Sequence, residues 1–258
     1  MSFYSGLRRS GGFTAVEAVV LILVVIVILA LVVAALLPLL GSTRGGPGAR
    51  YMQNASQLRG IHQGLMIYAQ GNKSGGGDGW YPGLDARGEL ITELPEGLED
   101  DVQPGDPAVM MKLLLDGEFI SSEYAINPAD KHRVPWESSL PFGSRHFSYA
   151  ALSIMGTDGA KEEWRETLNS SAVILTDRAI GTGSEDITSV WSEDPGHYRG
   201  AMTRNDGSTS FETEAIQKDT RYGKDSPVNA LDDVFADAPG VADAFLVHED
   251  GRTAYSAD

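Results

Sequence analysis

Cysteine is absent from the 258 residues, which excludes disulfide staples and thiolate metal sites. Basic residues are scarce: 20 Lys and Arg stand against 36 Asp and Glu, a formal charge of −16. Arg8, Arg9, Arg44 and Arg50 against Glu17 leave residues 1–50 at +3, and residues 51–258 therefore at −19. A surface of that sign excludes general nucleic-acid binding, which needs clustered Lys and Arg. Hydrolase signatures are missing too. His62, His132, His146, His197 and His248 are scattered without HExxH spacing, and no G-x-S-x-G elbow occurs. The segment Gly71–Gly79 carries phosphate-loop letters in the wrong order and reads as a loop. No enzyme is expected from this inventory.

One long apolar run is present. Ala18 to Leu37 are twenty apolar residues without a break, preceded by Glu17 and, further upstream, by Arg8 and Arg9. As a helix such a run rises ~30 Å, the thickness of a bilayer's hydrocarbon core. The flanking arginines predict a cytoplasmic N-terminus. The run exceeds the core of a secretory signal peptide, and Pro38-Leu39-Leu40 replaces a small-residue cleavage site.

The stretch Gly12-Phe13-Thr14-Ala15-Val16-Glu17, followed by that run, resembles the processing site of type IV prepilins and pseudopilins. The resemblance implies a leader, residues 1–12, removed after Gly12 by a prepilin peptidase. It also implies a new methylated N-terminus at Phe13, and a Glu17 whose carboxylate pairs with the α-amino group of a neighbouring subunit. A lone acid at the edge of an apolar segment needs such a partner. On this basis residues 13–40 are expected to form the transmembrane and filament-core helix, residues 41–50 a Gly/Pro linker, and residues 51–258 a globular head. The expected fold is α+β, a long hydrophobic stalk helix followed by an antiparallel sheet packed on an amphipathic helix. The expected course is a single-pass inner-membrane precursor that passes to a periplasmic or extracellular filament. The partners implied are further copies of the chain, the prepilin peptidase and the assembly platform. Many pilins close their C-terminal region with a disulfide; this chain cannot. A different class stays open, a membrane-tethered extracytoplasmic binding or hydrolytic domain whose anchor only looks like a prepilin.

Within the head, Tyr51, Ala55, Leu58, Ile61, Leu65 and Tyr68 recur at helical spacing and predict one apolar stripe, with Asn54 and Gln57 largely outside it. Gly60 and Gly64 would admit a closely packed sheet. The stretch resembles a bacterial prepilin-type group with a C-terminal H-x9-DG region, approximated here by His197 and Asp206-Gly207 with one residue fewer. Asn127-Pro-Ala-Asp130 takes the place of that group's "CPSD". Asp106-Pro107 opens a second helix that Gly117 ends, and Lys161–Leu168 reads as a short exposed helix. Strands are expected over 146–154, 171–176, 201–204, 208–213, 244–248 and 252–256, with hairpin turns at Asn205-Asp-Gly207 and Glu249-Asp-Gly251. The loop 225–237 gathers Asp225, Asn229, Asp232 and Asp233. It reads as a solvated acidic loop or as a calcium site without the EF-hand pattern.

Overall fold

Pro47 opens the longest helix among the described residues because its fixed φ suits the first helical position, where an N–H has no intrahelical acceptor. In the computed structural model this helix, α1, spans Pro47–Ser74. It therefore includes Gly48 and begins inside the segment expected to stay non-helical. The described residues are 19–22, 24, 25, 28, 46–74, 78–181, 186–192, 194–236, 244–249 and 255–256. The chain divides into two units, Met1–Gly46 and Pro47–Asp258. Of the first, residues 19–22, 24, 25 and 28 are helical and exposed; Gly12, Phe13 and Glu17 lie outside the described residues.

Two expectations are corrected. Among the described residues no helix is long and apolar enough to cross a membrane, so the single-pass inner-membrane placement is not supported. The stalk-and-head fold class is not supported either: no long apolar helix is described, and the body is built mostly on β-strands. The longest helix among the described residues, α1, is not the apolar stalk expected. It carries Arg50, Arg59 and Lys73, and its buried face includes Asn54, Gln57 and His62 beside Leu58, Ile61, Leu65 and Ala69. That mixture suits a protein core with hydrogen-bond partners and would be costly in hydrocarbon.

After α1 come α2 (Pro107–Asp116), β1 (Tyr149–Leu152), α3 (Asp158–Glu163), β2 (Val173–Asp177), β3 (Ala179–Ile180), β4 (Thr188–Ser189), β5 (Gly200–Arg204), β6 (Thr209–Glu212), β7 (Ile216–Gln217), β8 (Asp232–Asp233), β9 (Leu246–Val247) and β10 (Tyr255–Ser256). The main sheet has the order β6-β5-β2-β1-β9, antiparallel throughout. Its inner strands β1, β2 and most of β5 are buried at every residue. Both faces are covered: Tyr149, Ala151, Leu175 and Ala201 pack in the larger core with α1 and α2, while Ala150, Val173 and Met202 pack with Tyr198, Val234 and Phe235 on the other side. A sheet covered on both faces has no polar side to alternate with, which is why these strands read as nearly continuous apolar runs.

Gly60 and Gly64 do not face the sheet. A Cβ at Gly60 would stand 2.6 Å from the Tyr124 ring, and one at Gly64 3.2 Å from Ile120. The two glycines admit the segment that follows α2. The helix expected at 161–168 instead occupies 158–163, capped by Thr157, whose hydroxyl accepts from the Ala160 N–H; its Ala160 and Glu163, and Trp164 beyond it, are buried. The second expected hairpin is also corrected, since β9 pairs with β1 and β10 runs parallel to β3 in a different sheet.

The first hairpin forms as its turn letters require. Asn205-Asp-Gly207 joins β5 to β6, and Gly207 has φ +81. An added Cβ there would also meet His62 Nδ1 at 3.3 Å. Gly207→Ala is expected to lower stability by about 1–2 kcal/mol, read as a lower urea midpoint; an unchanged midpoint would show that the turn relaxes at no cost.

Candidate functional site

Asp177 ends β2 with its side chain on the α1 side, since it lies opposite Tyr149 in the register and both reach the same helix. Its carboxylate is wholly buried. Asn54 of α1 donates to both its oxygens at 3.0 and 2.8 Å, and Asn127 donates at 2.6 Å. Trp191 Nε1 donates at 2.9 Å and the Ala201 N–H at 2.7 Å. Burial pushes the group up, the four sets of donors pull it down, and the balance lies at about 6. Tyr149 extends the network, donating from its hydroxyl to Asn54 and Gln57. Because every donor belongs to the chain itself, the carboxylate acts as a clamp that ties α1, the 127–130 turn, β2, β5 and the turn after β4 together.

Arg178, the next residue, is also fully buried, and donates to Asp130 through Nε at 3.0 Å and Nη2 at 3.4 Å. Burial alone would raise Asp130, but the Arg178 guanidinium, helped by the His132 N–H and Ser148, outweighs it and holds the carboxyl below its ordinary value. The Asn127-Pro-Ala-Asp130 segment thus supplies one member to each buried carboxylate contact: Asn127 donates to Asp177, and Asp130 pairs with Arg178. Nearby, His248 is buried against Phe147, whose carbonyl lies 3.0 Å from Nε2; burial drives the imidazole down to about 3. Asn127→Ala removes one donor from a buried carboxylate and is expected to cost about 1–3 kcal/mol, measured by urea unfolding. A loss below the range of a surface substitution would mean that Asn54, Trp191 and Ala201 suffice.

An open cleft of 480 Å3 adjoins this network. Its walls include Tyr51, Trp191, Thr188 and Ser192, with Arg50, Lys131 and His132 among its lining. Trp191 is held by its bond to Asp177 and by ring contacts with Tyr51 at 4.5 Å and Phe211 at 5.9 Å between centroids. Ser189 Oγ bonds the Arg199 carbonyl and accepts from the Trp191 N–H, fixing the turn.

The residues singled out in the sequence are not gathered here. Gly12, Phe13 and Glu17 lie outside the described residues. Asp232 is buried in β8 opposite Gln217, Asp233 pairs with Ile216, Asn229 pairs with Thr220, and Asp225 lines a separate shallow cleft beside Thr157 and Asp158. Among the described residues no group of three or more His, Cys, Asp or Glu converges to hold a metal ion. His197 is exposed and does not approach the Asp206-Gly207 turn as a ligand partner in any bond found among the described residues. Sequence reasoning missed Asn54, Asp177, Arg178 and Trp191. One signal was available: Asn54, Leu58, Ile61 and Leu65 follow helical spacing as well as Tyr51 does.

Comparison with family models, with curated proteins and with solved structures finds no match.

Proposed function

We propose that this chain is a structural subunit of an extracellular type IV pilus-like filament or of a type II secretion pseudopilus. The observation that carries the reading is the ordered motif Gly12-Phe13 with Glu17 ahead of twenty apolar residues. Each part has a physical task. Cleavage after Gly12 creates a free amine at Phe13, and Glu17 offers the charge that such an amine on the next subunit can pair with, in an apolar setting where the attraction is strong. A chain with these parts assembles through its N-terminal segment and displays the body that follows.

The test is the N-terminus of the assembled protein. Intact-mass measurement is expected to show a chain beginning at Phe13 with a methylated amine, and Gly12→Val is expected to leave a full-length, unassembled product. Glu17→Val is expected to permit cleavage and to reduce fibre yield. Assembled material that retains residues 1–12 would overturn the proposal.

A further inference from the structure

The geometry points to the cleft beside Trp191 as a binding site for an acidic saccharide, a site independent of the filament reading. The first support is charge. The chain carries −16, yet the described lining of this cleft brings Arg50, Lys131 and His132 together, all exposed, with Asp130 as the one carboxylate among the described lining residues. Asp130 is already neutralised by Arg178. Arg50 and Lys131 take part in no ion pair among the described residues, so their charges are available to a ligand. The larger cleft, 680 Å3, offers no such preference: Lys73, Arg165, Arg221 and Lys224 there are mixed with Asp78, Glu162, Glu163 and Glu166.

The second support is shape and surface chemistry. Trp191 and Tyr51 both line the cleft, and Trp191 is fixed before any ligand arrives, by Asp177 at its Nε1 and by neighbouring rings. A pre-fixed aromatic wall suits the C–H face of a pyranose, which gains contact without the cost of ordering the protein side. Thr188 and Ser192 add hydroxyls for sugar hydroxyls, and Arg50 and Lys131 reach a carboxylate through charge-assisted bonds. The open form of the cleft fits one or two units of a longer chain.

The experiment titrates the intact protein calorimetrically with tetragalacturonate, with its uncharged methyl ester, with tetraglutamate and with a single-stranded oligonucleotide. Tetragalacturonate is expected to bind, and the ester at least about tenfold more weakly, the loss that follows from removing charge-assisted bonds. Arg50→Gln with Lys131→Gln changes two exposed residues and is expected to weaken tetragalacturonate by a similar factor. Trp191→Leu is expected to abolish binding if the variant unfolds with a normal cooperative transition; if it does not, the Arg50 and Lys131 variant decides. Absence of binding at millimolar tetragalacturonate, equal binding of the ester, or indifference to the double replacement would each overturn the assignment. Equal or tighter binding of tetraglutamate or the oligonucleotide would overturn it too, showing a general anion patch or a nucleic-acid site.

Discussion

Arg178→Met is expected to destabilise the protein by about 3–5 kcal/mol, the usual cost of leaving one member of a buried ion pair without its partner. The side chains of Arg178 and Asp130 are both wholly inaccessible, so the Asp130 carboxylate cannot recover solvation without opening the core. The bond that the His132 N–H donates to this carboxylate does not replace the charge of the guanidinium. The companion variant Asp130→Asn with Arg178→Met removes both charges and is expected to recover much of the loss, because neither transfer cost is then incurred. Urea unfolding of the three proteins at neutral pH provides the comparison. A loss under about 1 kcal/mol for the single variant, the scale of a surface pair, would show that this pair is solvated and that the core is less closed than its burial implies.

Acid is expected to unfold the protein partly through His248. With its imidazole held near 3 in the folded state and near 6.5 when unfolded, the folded form resists the proton. The associated stability is fully present above pH 6.5 and is lost as pH falls toward about 3, to the extent of roughly 4–5 kcal/mol. Asp177 acts with the opposite sign. Its folded value of about 6 lies above the ordinary 3.8, so its contribution is full below pH 3.8 and is lost as pH rises through 6, on the order of 3 kcal/mol. Between pH 4 and 6 the two partly cancel in the parent protein. His248→Gln removes one side of the balance, and stability is then expected to rise as pH falls from 7 to 4, where the parent stays flat or declines. Urea midpoints measured across that range decide the matter. Parallel curves for variant and parent would show that His248 takes up its proton as readily folded as unfolded.

Both effects sit in a part of the molecule that periodicity alone describes poorly. The α1 stripe through Leu58, Ile61 and Leu65 is legible because one helix face has one period, and those residues are buried. The same rule sets Asn54 and Gln57 aside as polar, and the fold buries them, because Asp177 and Tyr149 arrive across the sheet to satisfy them. Asn54 and Asp177 are 123 residues apart, and no local pattern encodes so distant a partner. The Asn127-Pro-Ala-Asp130 segment was legible as a landmark, while its work, one donor to Asp177 and one acceptor for Arg178, was not.

By itself the sequence determined the local features: the Asn205-Asp-Gly207 turn, the Pro107–Asp116 helix ended by Gly117, the absence of disulfides, and the acidic balance. These depend on backbone geometry and composition, which neighbouring residues settle. Only the tertiary structure decided that β10 leaves β9 for β3, that Asp225, Asp232 and Asp233 join no metal-holding group among the described residues, and that a clamp of buried polar groups stands behind a basic, aromatic-walled cleft in an acidic protein. Those depend on which distant surfaces exclude water together. Burial turns an ordinary Asn, Asp or Arg into an obligatory hydrogen-bond partner.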